Sequence, residues 1–141
     1  MKIIFPARSV NESFARAAVS SFLLQLDPTV SELSDIRTAV SEAVTNCIVH
    51  AYRGTHGTIE LCVKIISDST VIIKIKDRGC GIPDIKKAME PLFTTAPEEE
   101  RAGLGFAVME SFMDKLSVRS SPGKGTTIIM RRKLEERHER D

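Results

Sequence analysis

Apolar residues recur along this chain at two spacings, and the change between them marks where helices give way to strands. Lys2–Pro6 (KIIFP) reads as a short apolar strand stopped by proline. Phe14, Ala18, Phe22 and Leu26 then stand four residues apart, with Ala15, Val19 and Leu23 widening the apolar side. Ser9 and Glu12 have the spacing of a capping box, which predicts the start of this first helix, and Asp27-Pro28 closes it. A second helix is predicted from about residues 31–33 to Tyr52, burying Ile36, Val40, Ala43, Cys47 and Ala51.

The period then falls to two. Ile59, Leu61, Val63 and Ile65 share one face, as do Val71, Ile73 and Ile75 after a polar turn, so an antiparallel hairpin with one buried face is expected. Residues 84–90 allow a short helix, and residues 92–101 (LFTTAPEEER) read as a polar loop. A helix opening near Gly103 carries Val108, Met109, Phe112 and Met113. Strands are expected over 116–120 and 126–132 around a tight turn, with 133–141 a frayed, charged tail. Helices bunched among hairpin-linked strands argue an α+β fold, a two-layer sandwich with one mostly antiparallel sheet, rather than a doubly wound sheet.

Three polar residues interrupt the second helix at every fourth position: Glu42, Asn46 and His50, within SEAVTNCIVHAY. Four helical steps overshoot a full turn by only about 40°. The three therefore form one slanting row along the edge of the buried stripe. A carboxylate, an amide and an imidazole so arranged can serve as base, metal ligand and phosphate-side donor; the same row also suits a plain solvent-facing edge. Asp77 ends a strand and runs into Gly79-Cys80-Gly81, where the backbone can approach a flat ligand while the carboxylate accepts a hydrogen bond. Gly103-Leu104-Gly105-Phe106 opens a helix, and its backbone N–H groups suit an anion. Gly123-Lys124-Gly125-Thr126 is not a P-loop, because Gly125 and Val118 stand where that pattern needs Ser or Thr and glycine.

At 141 residues the chain is expected to form a single domain, 1–141. Its net charge of +1 gives no field pointing to nucleic acid or an anionic membrane, and no apolar run reaches the ~20 residues of a span. A cytoplasmic protein with neither nucleic acid nor membrane as direct partner is expected. Cys47, Cys62 and Cys80 lack CxxC spacing, and Cys47 and Cys62 read as core residues. His56 reads as a solvated loop residue and Arg16 as a solvated charge.

Taken together, SEAVTN, DRGCGI and GLGF fall in the order of the N box and the two glycine boxes of a known family. The chain resembles the ATP-binding superfamily shared by DNA gyrase, Hsp90, histidine kinases and MutL. NESFAR, PLFTT and SSPGKGTT bring it nearest to the small bacterial anti-sigma serine kinases of sporulation. That resemblance implies a kinase that uses ATP and Mg2+, releases ADP, and phosphorylates serine on an anti-anti-sigma factor. It also implies a homodimer, built partly from the first strand and helix, that binds sigma F. By resemblance Glu42 is the general base and Asn46 the Mg2+ ligand, with His50 near the phosphates. Asp77, Gly79, Gly81 and Thr126 would take the adenine, and Gly103, Leu104, Gly105 and Phe106 the phosphates. Thr94, Thr95 and Arg101 would belong to a lid over the nucleotide, and Arg16 would contact a partner. A general-stress anti-sigma kinase, with the same chemistry and other partners, and a detached histidine-kinase ATPase domain are the alternatives.

Overall fold

In the computed structural model the described residues are 1–52, 56–67, 69–79 and 105–135. The chain runs β1 (Lys2–Pro6), α1 (Val10–Leu23), a 3-10 turn (Leu24–Leu26), α2 (Val30–Asn46) and a π-helical turn (Cys47–Ala51). Then follow β2 (Thr58–Ile66), β3 (Thr70–Asp77), α3 (Gly105–Phe112), β4 (Lys115–Ser121) and β5 (Gly125–Lys133). The strands form one sheet in the order β1-β2-β3-β5-β4, and every pairing is antiparallel. The α+β sandwich expected from the patterning is therefore present.

The period-two runs explain the sheet's two faces. Ile59 faces Asp77 across the β2–β3 ladder, Leu61 faces Ile75, and Val63 faces Ile73. All six are buried, with Ile128 and Met130 of β5 beside them. Against this face lie Ala15, Val19 and Leu23 of α1, Ile36, Val40 and Ala43 of α2, and Met109 of α3. Each large aliphatic side chain so buried contributes about 1.5–3 kcal/mol, which holds the helices to one side of the sheet. The alternate residues Lys64 and Lys74 are exposed on the other side.

The helix ends depart from the expectation. Ser9 precedes α1 in a helical conformation and makes no side-chain cap, so no box forms with Glu12. The capping box belongs to Thr29 and Glu32: Glu32 N donates to Thr29 Oγ1 at 3.0 Å, and Thr29 N donates to Glu32 Oε1 at 2.8 Å. Thus α2 starts at Val30, slightly before the expected position. The buried side of α1 centres on Ala15, Val19 and Leu23, while Phe14 is 49% exposed and meets Phe5 edge-on at 6.0 Å. The start of the tail is also fixed rather than frayed. Leu134 is buried, its N–H donates to Ser69 O at 2.8 Å, and Glu135 N donates to Glu32 Oε2 at 2.6 Å. The short helix proposed for 84–90, the loop at 92–101 and the last tail residues, 136–141, lie outside the described residues.

Candidate functional site

α2 buries Ala39, Val40, Ala43 and Val44, and this leaves Glu42 and Asn46 half-buried on its edge, one turn apart. The start of α3 lies next to Glu42. A Cβ placed on Gly105 would stand 3.4 Å from Glu42 Oε2, within ordinary van der Waals contact of the carboxylate. Glu42 therefore sits beside a helix N-terminus, where unpaired N–H groups and the helix dipole favour negative charge. Gly105 and Phe106, two of the expected phosphate-side residues, are both buried here. Beyond Asn46 the helix widens into the π turn instead of continuing regularly to Tyr52. Such turns are rare and recur at functional sites.

A second cluster gathers where β3 ends. Asp77 is 4% exposed, and its Oδ1 accepts from Gly79 N at 2.9 Å and from Thr126 N at 3.2 Å. The approach depends on Gly125, whose φ is +101°; a Cβ there would overlap Asp77 O and lie 2.7 Å from Arg78 Cα. Only glycine lets β5 begin so close to β3. Thr126 Oγ1 shares a 2.8 Å hydrogen bond with Ser120 Oγ, which also donates to Gly125 O. Burial pushes the Asp77 carboxyl above its ordinary value, against the pull of the Gly79 amide, the Cys47 thiol and the Thr126 amide. The Cys47 thiol is itself pushed well up, first by burial and then by the neighbouring Asp77 charge.

Arg16 is not the fully solvated charge the sequence suggested. It is half-buried, 3.4 Å from Glu12 Oε1 and 3.2 Å from Ser13 Oγ. With Glu12, Arg37, Ser41 and Glu42 it lines a polar cleft of about 330 Å³ between α1 and α2. Glu42 thus borders both this cleft and the start of α3. Cys47 is buried as expected, Cys62 is half-buried, and His56 is exposed. Gly81, Thr94, Thr95, Arg101, Gly103 and Leu104, together with Cys80 and the side chain of His50, lie outside the described residues.

Sequence reasoning passed over Ser120, Arg37 and Tyr52, which share the surroundings of these groups. Ser120 faces Thr126 across the β4–β5 ladder and was legible only once that register was known. The Tyr52 phenol donates to Thr58 O at 2.8 Å and accepts from Arg78 N at 2.7 Å. Its position at the end of a helical pattern gave no sign of either bond.

A sequence profile of the histidine kinase-like ATPase domain matches residues 5–132. The anti-sigma F factor of Caldanaerobacter subterraneus is 56% identical over 130 residues, covering 92% of this chain and 90% of the relative. The chain belongs to the anti-sigma F factor family. The anti-sigma F factor of Clostridium acetobutylicum is 53% identical over 134 residues, covering 95% of this chain and 93% of that one. Solved structures share the fold at lower identity. The RsbU and RsbW domains of Rv1364c from Mycobacterium tuberculosis superpose with a TM-score of 0.66 at 19% identity, over 95% of this chain and 31% of theirs. A blue-light activated histidine kinase domain from Erythrobacter litoralis gives 0.59 at 24% identity, over 74% and 46%. In this chain Glu42 and Asn46 stand on α2, Asp77 ends β3 and Thr126 lies at the start of β5.

Proposed function

We propose that the protein is a cytoplasmic anti-sigma factor and protein-serine kinase. It holds sigma F while loaded with ATP, and it phosphorylates a serine of an anti-anti-sigma factor. One observation carries the chemical part of this reading: the Glu42 carboxylate stands beside the glycine that opens α3, one helical turn before Asn46. In that arrangement Glu42 can accept the proton of an incoming serine hydroxyl. The serine oxygen then bonds to the terminal phosphorus of ATP as the bond to the ADP oxygen breaks. Phosphoryl transfer asks mainly for positioning and charge neutralisation, which the N–H groups at the start of α3 supply.

Asp77 takes the adenine amino group, with Gly79, Gly81 and Thr126 shaping the pocket. Asn46 offers a hard amide oxygen, and Mg2+ commonly takes few protein ligands beside phosphates and water, so this donor fits the ion. When bound, Mg2+ neutralises charge on the phosphates. The lid residues Thr94, Thr95 and Arg101, with Gly103 and Leu104, complete the nucleotide site in this reading, and His50 lies near the phosphates. The acceptor protein approaches through the cleft between Arg16 and Glu42, with Arg16 as a partner contact. Ile4, Val10 and Phe14 are exposed at 63%, 69% and 49%, and β1 is an edge strand. Those residues support a homodimer formed through β1 and α1.

Transfer of labelled phosphate from ATP to a purified anti-anti-sigma protein tests the reading. Wild type is expected to label serine, and Glu42→Gln to slow transfer by about 10²–10⁴-fold while ATP affinity stays within about twofold. A loss of ATP affinity equal to the loss of rate would remove Glu42 as base. ATP binding by wild type without any transfer would remove the kinase.

A further inference from the structure

Resting on the reading of Asp77 as the adenine acceptor, the geometry points to two further residues behind it. We infer that Cys47 and Tyr52, which bracket the π-helical turn, are positioning residues that fix the direction of the Asp77 carboxylate and so its selectivity for a 6-amino purine.

The argument begins with the acceptor count. An ionised carboxylate has about four lone-pair positions. Among the described residues Gly79 N and Thr126 N take two of them, both on Oδ1, and the buried Cys47 thiol is the neighbouring side-chain donor. With the thiol as a third donor, one position is left for a ligand. Because Cys47 is 1% exposed and Asp77 4%, no bulk water replaces the thiol if it is removed. The two amides on Oδ1 then hold the carboxylate alone about its last torsion, which is broad and two-fold for Asp.

Tyr52 acts on the backbone that carries the carboxylate. Its phenol donates to Thr58 O, where β2 begins, and accepts from Arg78 N, the residue after Asp77. One hydroxyl thus ties together the neighbouring ends of β2 and β3. Gly57 makes the room, since a Cβ there would overlap the Tyr52 ring. Cys47 keeps the regular helical bond of its N–H to Ala43 O, so α2 itself sets its place. The π turn that follows sets the place of Tyr52, whose hydroxyl meets Arg78 N.

The test uses the full chain and compares ATP with purine riboside triphosphate, which lacks only the 6-amino group. Displacement of a fluorescent ADP analogue gives both affinities. Wild type is expected to prefer ATP by about tenfold or more, the contribution of a hydrogen bond to an ionised acceptor. Cys47→Ala and Tyr52→Phe are expected to cut that ratio about threefold or more, with affinity for the purine analogue within about twofold. Cys47→Ser, which restores a donor, is expected to keep the wild-type ratio. Equal weakening of both nucleotides, or an unchanged ratio in Cys47→Ala, would overturn the inference. Tyr52→Phe keeps the ring over Gly57, so it reports on the hydroxyl even if Cys47→Ala folds poorly. A wild type that binds both nucleotides equally would instead remove the adenine reading of Asp77, and this inference with it.

Discussion

Glu32 joins three parts of the chain, and Glu32→Ala measures what that junction contributes. The residue is 7% exposed. Its Oε1 accepts from Thr29 N at 2.8 Å, within the cap of α2, and its Oε2 accepts from Glu135 N at 2.6 Å, just past β5. Burial pushes the carboxyl up, but the Thr29 and Glu135 amides, the Thr29 hydroxyl and the Arg132 charge outweigh it and hold the carboxyl below its ordinary value. Alanine removes both accepted bonds and spares the bond from residue 32 N–H to Thr29 Oγ1. A hydrogen bond to an ionised acceptor contributes about 1.5–3 kcal/mol. The lower figure applies here, because Glu135 is exposed and its amide can recover water. The two bonds then sum to about 3 kcal/mol, from which alanine's better helix propensity returns about 0.3 kcal/mol. The expected loss of about 2.7 kcal/mol lowers Tm by about 9 °C in a chain of this length. Because the folded-state carboxyl lies below its unfolded value, its contribution is complete above about pH 4.3 and fades as pH falls through the folded value. Thermal unfolding followed by circular dichroism should therefore show the full gap at about pH 7 and a narrowing gap towards about pH 3. A neutral-pH difference below about 3 °C, or a gap indifferent to acid, would refute the reasoning.

Two other substitutions bear on the nucleotide reading. Asp77→Asn can keep an oxygen for the Gly79 and Thr126 amides while turning an NH2 donor towards the adenine amino group. ATP affinity is expected to fall about 100-fold and inosine triphosphate, with its 6-oxo acceptor, much less; an equal fall in calorimetric titrations would count against the pocket. Asn46→Ala should bring ATP affinity in Mg2+ down towards the value measured with EDTA. An unaltered Mg2+ dependence would take the metal role away from Asn46.

Much of the fold was legible because burial imposes its period on the sequence. The β2–β3 hairpin is a case in point: alternation put Ile59, Leu61, Val63, Val71, Ile73 and Ile75 on one face, and all six are buried. Glu42 and Asn46 were legible as polar residues recurring inside an apolar stripe. Helix ends read less well, since Ser-x-x-Glu and Thr-x-x-Glu have the same form and only one of them caps. Ser9 precedes its helix in a helical conformation, with φ −52° and ψ −36°, whereas Thr29 is extended, with ψ 160°, and can turn its hydroxyl onto the helix. Spacing alone does not contain that difference in backbone angle.

The sequence by itself determined the alternation of helix and strand, the core of the β2–β3 hairpin and of α2, and the family, because each is written in local periodicity or in short contiguous motifs. Only the tertiary structure decided which distant residues meet. Asp77 and Thr126 stand 49 positions apart, and Glu32 and Glu135 stand 103 apart. Their contacts follow from the β3–β5 register and from the docking of α2 on the sheet, neither of which any single stretch specifies. The same holds for the π turn after Asn46. A regular helix and a widened one carry the same apolar stripe up to that point, and only the folded backbone shows which of them follows Asn46.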